Sequence, residues 1–403
     1  MKNVMQPRIL RWALPLVFCC GGIPGRLTAQ NAAELFDDST LHEVRLFVKA
    51  EDWQTLKDRV FEDIHFSADL VWRNVTVRNI SIRSRGWGSR NPQKPGLKLD
   101  FDWYESDQRF LGLSNLVLDN AWQDPTFLRE PLAMKLFRRL QIAAPREAFA
   151  RLYVNGEYAG LYVIVEDVDK TFLRNAFGES DGFLYEKVRS EGFNFDYRGD
   201  DPAAYVPALF EAETHEENPE AAVIRDMIRS FNESPDRQFA EQASRYLDIG
   251  RFLQYMAVES YVAEWDGFAG DFGNNNYYMY RFEGLKTFAL VPWDKDAAFT
   301  FHALDIVHNF DANVLTRRLM QSGFRLAYFQ AMQRTAAAAG ARGGFLETEM
   351  ERLYGLIRQA AIQDPVKPVD NDRFEAEIEI MRYFLAHRSD FVLDQVRSLQ
   401  QPF

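Results

Sequence analysis

Alternation of apolar and polar residues dominates the first half of the chain. Val75–Ser84 reads VTVRNISIRS and the segment from Leu97 reads LKLDFDW, and both have the two-residue period of a half-buried strand. Asn155-Gly156 separates two further apolar runs and is typical of a tight hairpin turn. Helical spacing interrupts this pattern at about 51–60 and 126–140. The first half is therefore predicted to be mostly sheet, with one prominent helix.

After Asp167 the apolar spacing becomes helical. Predicted helices cover 219–231, 236–247, 250–265, 310–321, 324–338, 345–361 and 373–395. Only 276–281 and 286–291 look like strands in this half, and Glu283-Gly284 marks the turn between them. We therefore expect an α+β protein with a strand-rich N-lobe, 30–166, and a helical C-lobe, 167–403. Ligands usually bind in the cleft between two such lobes.

The N-terminus resembles a secretory signal peptide. Three basic residues precede an apolar run at 12–20, and small residues follow up to about Ala29. The run is shorter than the ~20 residues that span a bilayer. We expect residues 1–29 to be removed, leaving no stable membrane span and a secreted, periplasmic or cell-surface protein. Lipoprotein processing at Cys19 or Cys20 is the alternative.

The composition and charge of the chain exclude some classes of site and partner. Both cysteines lie within 1–29, so the mature chain has no disulfide and no thiolate metal site. The formal charge of −12 becomes −16 when the four basic residues of that segment are lost with no acid. Such a surface repels phosphate backbones, which argues against nucleic acid as a partner.

Two loops rich in acids and amides flank the predicted C-terminal hairpin. DGFAGDFGNNN (266–276) lies between a helix and the first strand, and PWDKD (292–296) follows the second strand. Both loops can face one point, and their oxygen ligands suit magnesium or calcium. Taken singly, each of these residues is more typical of an ordinary turn, but the combined arrangement favours a metal site.

The spacing of the polar residues in these loops matches that of the residues with which kinases carry out phosphoryl transfer. In kinases, an Asp that orients the acceptor hydroxyl is followed five residues later by a metal-binding Asn, and after a hairpin by a metal-binding Asp. Asp271, Asn276 and Asp294 have this order. The tripeptide Asp271-Phe272-Gly273 also spells the kinase magnesium motif, but a helical segment precedes it where a catalytic loop would be required. We therefore interpret Asp271 as the base, with Asn276 and Asp294 as metal ligands.

The chain resembles the CotH kinase family of secreted or spore-coat atypical kinases. The similarity spans roughly 80–300 and rests on SRGWGSRNPQKPGLKLDF, LREPLAMKLFRRL, LYVNGEYAGLYVIVEDVDKTFL, DGFLYEK, GDFGNNNYYMYR and LVPWDKD. It implies a two-lobed, protein-kinase-like fold. It further implies that SRGWGSRNPQKPG covers the nucleotide phosphates, where Gly86 and Gly88 permit close backbone approach and Arg85 or Arg90 supplies charge.

The same resemblance implies further nucleotide contacts. Lys98 is expected to touch the α and β phosphates, with Lys94 as the alternative. Glu130 would pair with that lysine, although an acid in the first turn of a helix also has a sufficient structural reason. Glu166 would lie near the hinge that binds adenine.

Some of these catalytic and metal-ligand assignments have an alternative. Asn275 is the alternative to Asn276 as metal ligand, and Asp266 is the alternative to Asp271 as base. Asp296 is a further candidate metal ligand.

The resemblance implies a secreted kinase that transfers the γ-phosphate of ATP to Ser or Thr of an exported or surface protein. Mg²⁺, or alternatively Mn²⁺, would accompany ATP. Two other functions compete: a catalytically inactive scaffold or adhesion protein with a kinase fold, and a calcium-binding extracellular module. The sequence indicates neither the acceptor protein nor the oligomeric state.

Overall fold

Seven strands close into a barrel that forms the N-terminal lobe. The computed structural model describes residues 31–190 and 192–400, so the predicted signal peptide lies outside the described residues. Around the barrel the order is β1-β2-β3-β4-β5-β7-β6, and β1 closes it by pairing in parallel with β6. The strands are β1 (Leu41–Val48), β2 (Phe66–Trp72), β3 (Val75–Ser84), β4 (Leu97–Asp100), β5 (Asn115–Asp119), β6 (Glu147–Val154) and β7 (Glu157–Val165).

Strand alternation fills the barrel and points Lys98 out of it. Leu97 and Leu99 are fully buried in the barrel core together with Ile80 and Ile82 of β3. Because successive side chains of a strand point to opposite faces, Lys98 projects to the other side of the sheet. It pairs with Arg83 across β3 and β4. The barrel thus presents basic side chains on its outer surface beside the second lobe.

A four-stranded antiparallel sheet forms the part of the C-terminal lobe that faces the barrel. Its order is β11-β10-β8-β9, and its strands are β8 (Phe183–Lys187), β9 (Phe210–Ala212), β10 (Tyr277–Arg281) and β11 (Phe288–Pro292). The expectation of only two strands after Asp167 is therefore wrong. β8 and β9 are too short for their spacing to be distinguished from a loop, and they are ordered by pairing with β10 and with each other.

Helices make up the rest of the molecule. They are α1 (Ala32–Leu35), α2 (Ala50–Asp58), α3 (Arg129–Arg139), α4 (Lys170–Phe177), α5 (Ala221–Glu233), α6 (Asp236–Ala243), α7 (Ile249–Val262), α8 (Val314–Leu319), α9 (Arg325–Ala339), α10 (Phe345–Gln363) and α11 (Asn371–Gln400). Most residues of α7 are buried, because it packs against α3, α9 and α11. Within the part of the chain that the structure describes, no helix is long and apolar enough to cross a membrane.

Candidate active site

A polar cleft of about 390 Å³ lies between the barrel and the C-terminal sheet. Three parts of the chain contribute most of its walls: the loop that follows β3, the segment around β8, and the two acidic loops that flank the β10–β11 hairpin. Its acidic and amide residues are Gln123, Asp167, Glu186, Glu211, Asp266, Asn275, Asn276, Asp294 and Asp296. The convergence of the two acidic loops, predicted from the hairpin between them, is present in the structure.

The loop after β3 arches over this cleft, as the resemblance implied. Arg85 pairs with Asp119 through Nη1 and Oδ2, 3.2 Å apart. Burial alone would lower the pKa of Arg85, but the carboxylates of Asp119 and Asp294 outweigh burial and raise it. Gly86 has φ +100°, and a Cβ there would lie 2.4 Å from Ser89 Oγ, so this position requires glycine.

Gly88 and Arg90 also line the cleft, but Arg90 is used to hold the loop. Its Nε donates to the carbonyl of Gly86 at 2.6 Å, and its Nη1 donates to the carbonyl of Val60 at 3.1 Å. An ion pair to Asp63 occupies the remaining nitrogen. The charge of Arg90 is therefore engaged within the protein, and Arg85 is the better placed of the two arginines.

Lys98 faces the cleft, whereas Lys94 does not. Lys98 Nζ lies 2.9 Å from Asp167 Oδ2, and this carboxylate outweighs burial and raises the pKa of Lys98. Lys94 is fully buried, with its Nζ 2.9 Å from Asp364 Oδ2 and stacked over the rings of Phe127 and Tyr162. The geometry therefore removes Lys94 as an alternative phosphate ligand.

Glu130 does not pair with Lys98, which corrects the expected ion pair. Glu130 lies in the first turn of α3 near other acids, and burial together with the charges of Glu147 and Asp294 raises its pKa well above the usual range. A carboxyl group in such surroundings holds its proton and makes a poor partner for a lysine. Asp167 takes the place beside Lys98 that the kinase pattern gives to the helix glutamate.

Glu166 likewise turns away from the cleft. Its carboxylate accepts from Nε and Nη2 of Arg146 at 2.9 and 2.6 Å, and from the backbone nitrogen of Arg146 at 3.1 Å. Because neighbouring residues of an extended segment point to opposite sides, Asp167 faces the cleft and Glu166 points away from it, buried against Arg146. Glu166 therefore does not line the cleft in which the resemblance placed it.

Asp266 lies in the cleft, held by the asparagines of the same loop. Its Oδ2 accepts from Asn276 Nδ2 at 3.3 Å and from Asn275 Nδ2 at 3.4 Å, while Oδ1 has no partner among the described residues. Burial raises the pKa of Asp266. Asn276 has φ +59°, a left-handed conformation that asparagine adopts more readily than most residues.

Asp271 lies outside the cleft, which corrects the expected position of the base. It lines a separate shallow depression of about 370 Å³ with Gly192, Asn194, Phe272 and others. Its Oδ1 accepts from Asn309 Nδ2 at 2.9 Å and contacts His308 Nε2. A tight turn, with a bridge between Gly270 and Gly273, projects Asp271 to this other side of the loop. The spacing to Asn276 matched the kinase pattern, but the side chain points elsewhere.

Asp294 and Asp296 face the cleft from the PWDKD loop. Asp294 is open to the cleft, yet the surrounding protein desolvates its carboxylate. This desolvation and the charges of Asp119 and Asp266 raise the pKa of Asp294 to about 6, although Arg85 acts to lower it. Burial and the charge of Asp294 raise the pKa of Asp296 well above its usual range. Asp294 has φ +49°, so the loop presents this carboxylate from a strained backbone position.

A buried ion pair ties the two acidic loops together. Lys295 Nζ lies 2.7 Å from Glu259 Oε1 on α7 and also donates to the carbonyl of Asn276 at 2.8 Å. The other oxygen of Glu259 accepts from the backbone nitrogen of Phe268 at 2.8 Å. One lysine and one glutamate therefore fix the position of Asp294 relative to the loop that carries Asp266.

Among the cleft residues that sequence reasoning missed are Asp167, Glu186, Arg189 and Tyr278, and it also missed Asp119, which pairs with Arg85. Asp119 is the last residue of β5 and Asp167 lies just after β7, and an acid at the end of a buried strand is the sequence signal that could have found them. The others belong to β8, β10 or the segment after β8. Without the pairing of β8 with β10, no sequence feature places them beside the acidic loops.

A strand-rich lobe, a helical lobe and an acidic, metal-suited cleft between them define a two-lobed, protein-kinase-like α+β fold. The sequence profile described as CotH kinase protein matches residues 82–392, and the chain belongs to this family.

Among curated relatives, the chain is 27% identical to the inner spore coat protein H of Bacillus subtilis (strain 168), over 90% of this chain and 99% of that protein. It is 22% identical to invasin CotH3 of Rhizopus delemar over 74% of this chain, and spans 53% of that longer protein.

Two solved structures show distant similarity. The complex of HipA, HipB and operator DNA from Shewanella oneidensis MR-1 gives a TM-score of 0.39 at 13% identity, covering 76% of this chain and 66% of that chain. The Helicobacter pylori proinflammatory kinase CtkA gives 0.35 at 10% identity, covering 76% and 95%.

Proposed function

We propose that this kinase-like protein is an active ATP-dependent protein kinase that phosphorylates Ser or Thr of an exported or surface protein. The observation that carries the proposal is the convergence of Lys98, Arg85, Asp266 and Asp294 on one cleft between two lobes. Two cations from one lobe face two acids from the other, and phosphoryl transfer requires this combination of phosphate-binding charge and metal-binding or proton-accepting carboxylates.

Asp266 takes the role of the base in this proposal. Asp266 lines the cleft while Asp271 does not. In the reaction, the acceptor hydroxyl oxygen bonds to the γ-phosphorus and the bond between that phosphorus and the β–γ bridging oxygen breaks. ADP leaves with the electron pair, and the hydroxyl proton passes to Asp266. The raised pKa of Asp266 favours proton acceptance at neutral pH.

Lys98 and Arg85 would bind the phosphates. Each already has a carboxylate neighbour, Asp167 and Asp119, that orients it toward the cleft. Gly86 would let the backbone of the loop approach the nucleotide, since its φ of +100° disfavours any residue with a side chain there. The domain limits 30–166 and 167–403 are part of the same proposal, with the nucleotide bound between them.

The donors of the cleft suit Mg²⁺, with Mn²⁺ as the alternative. The described residues contain no cluster of three or more acids or histidines arranged to hold a metal by themselves. Magnesium in kinases is commonly held by one or two protein oxygens and completed by phosphate and water. Asp294 and Asn276 would hold it, with Asn275 or Asp296 as neighbours. When bound, the ion would neutralise charge on the phosphates.

The relatives support an exported setting. One is named an inner spore coat protein and others are named invasins, which agrees with the signal peptide predicted at 1–29. A calcium-binding module built on the 266–276 loop gains no support, because Asp266 and Asp271 face different depressions. The inactive scaffold remains the competing function that the following experiment tests.

Calorimetric titration of the mature protein with ATP, with and without Mg²⁺, tests the proposal. We expect Mg²⁺-dependent binding, and we expect Asp294→Asn to weaken it by at least about tenfold because an anionic metal ligand is lost. Asp311→Asn is the matched control, because it changes an exposed aspartate outside the two acidic loops. This variant should bind ATP as the parent does. Absence of ATP binding by the parent would favour the scaffold.

A further inference from the structure

We propose that Arg189 contacts the γ-phosphoryl group during transfer and stabilises its charge, acting as an arginine supplied by the protein's own chain. The inference rests on the proposed kinase function and adds a catalytic residue to it. Arg189 lies in the segment after β8, lines the cleft, and has an exposed side chain.

Arg189 differs from the cations that the barrel contributes to the cleft. Four cations from the barrel line the cleft, and each has a carboxylate partner: Arg83 and Arg90 with Asp63, Arg85 with Asp119, and Lys98 with Asp167. Arg189 makes no ion pair with any residue in 31–190 or 192–400. Among these residues, its guanidinium therefore has no carboxylate partner that would compete with a ligand.

Two aromatic rings from opposite lobes hold this guanidinium at the mouth of the cleft. Its Cζ lies 4.6 Å from the ring centroid of Trp87, in the loop after β3, and 5.5 Å from that of Phe272, in the 266–276 loop. Trp87 and Phe272 are exposed by 72% and 49%, which is unusual for such large rings. Stacking on aromatic faces orients a guanidinium without consuming its hydrogen-bond donors.

Hydrogen bonds hold the segment that carries Arg189 in place. The buried Lys187 Nζ donates to the carbonyl of Val188 and, at 2.8 Å, to Ser190 Oγ. Further along, the backbone nitrogen of Gly192 donates to the carbonyl of Phe272 at 3.0 Å. The segment and the 266–276 loop are thus joined as one surface.

Arg189 also lies close to the proposed base. Both residues line the cleft, and Phe272, whose ring stacks on the Arg189 guanidinium, belongs to the same loop as Asp266. The hydroxyl that Asp266 deprotonates and the phosphorus it attacks must both lie beside this carboxylate. An arginine at that point is next to the oxygens of the transferring group.

The chemistry explains why a charge is needed there. In the transition state of phosphoryl transfer, negative charge spreads over the oxygens of the moving group, and an arginine contacting them is worth about 10³–10⁵ in kcat. Arg85 and Lys98 come from the barrel side, where the bound end of the nucleotide would lie. Arg189 approaches from the acceptor side, near Asp266.

The test compares ADP binding with binding of ADP plus tetrafluoroaluminate, which mimics the transferring phosphoryl group, in the presence of Mg²⁺. We expect the parent to bind the combination at least about tenfold more tightly than ADP alone, since transition-state analogues exceed ground-state ligands by 10² or more. Arg189→Met should lose most of this enhancement while keeping its affinity for ADP. Arg189→Lys should recover only part of it, because lysine lacks the planar fork.

Two further variants make the result specific. Arg245→Met changes an exposed arginine that lies just after α6, pairs with Glu241 and does not line the cleft, and it should keep the full enhancement. Trp87→Leu removes one stacking ring without changing charge and should reduce the enhancement less than Arg189→Met does. An enhancement that is equal in the parent and Arg189→Met overturns the role of Arg189 and leaves the kinase proposal standing. A parent that binds neither ADP nor ATP overturns both.

Discussion

Glu147, the first residue of β6, is buried with neither carboxylate oxygen hydrogen-bonded among the described residues. Burial, with the nearby charges of Asp119 and Asp38, raises its pKa to about 8, against the lowering effects of Arg138 and Lys135. The folded protein therefore keeps a proton there that the unfolded chain releases near pH 4.5.

This raised pKa predicts the direction of a pH effect on stability. Because the folded state binds the proton more tightly, the contribution of Glu147 to stability falls as pH rises from about 4.5 to about 8. Glu147→Gln should therefore stabilise the protein by about 1–3 kcal/mol at pH 8 and have little effect at pH 5. Thermal unfolding at the two pH values measures this.

Glu157→Gln, at an exposed position in the β6–β7 turn, is the control and should shift Tm little at either pH. A Glu147→Gln variant that is less stable than the parent at pH 8 would show that the group is ionised in the folded state.

The positions of Asp266 and Asp271 show what residue spacing cannot predict. A five-residue interval to an asparagine selected Asp271, but the side chain that enters the cleft is decided by the path of the loop. Ala263 ends α7 in a left-handed conformation, and the backbone nitrogen of Asn275 then donates to the carbonyl of Gly267 at 3.1 Å. This fold-back brings Asp266 beside Asn276 and turns Asp271 outward. Such non-local hydrogen bonds have no periodic signal in the sequence.

At the scale of secondary-structure elements, Lys94 joins the barrel to the C-terminal helices. Its partner Asp364 follows α10 and also accepts from the backbone nitrogen of Leu161 in β7 at 2.9 Å. Both side chains of the ion pair are fully buried. Removing one member of such a pair leaves an uncompensated charge in the interior, which costs about 3–5 kcal/mol.

We therefore predict that Lys94→Met lowers the free energy of unfolding by about 3–5 kcal/mol. Urea denaturation followed by circular dichroism measures the change. Lys286→Met, in the exposed turn of the β10–β11 hairpin, is the matched control and should change stability by less than about 0.5 kcal/mol. If Lys94→Met is as stable as the control, the ion pair does not hold the two parts together.

The same elements show which structural features the periodicity of apolar residues can predict. Lys98 lies between two core leucines of a strand, so alternation predicts that it points away from the barrel interior, and the structure agrees. Lys94 lies in a loop without periodicity, and its partner is 270 residues away along the chain. β8 and β9 were missed for a related reason: five and three residues carry too few periods, and their pairing with distant strands decides their conformation.

At the scale of the whole molecule, the two-lobed fold could be predicted because motifs of one family occur in order along both lobes. The convergence of the acidic loops could also be predicted, since a hairpin necessarily brings its two ends together. The ion pairs that line the cleft could not be predicted from the sequence. Asp119 beside Arg85 and Asp167 beside Lys98 depend on how the barrel closes and on how the second lobe lies against it.

The central claim is that the cleft between the lobes transfers phosphate, with Asp266 as the base. The most direct measurement is transfer from γ-labelled ATP with Mg²⁺ to proteins of the organism's own extracytoplasmic extract, comparing the parent with Asp266→Asn and Asp271→Asn. We predict that Asp266→Asn loses about 10²–10⁴-fold of the rate and that Asp271→Asn stays within about threefold of the parent. The reverse order, with Asp271→Asn inactive and Asp266→Asn active, or a parent that transfers no phosphate, would contradict the account.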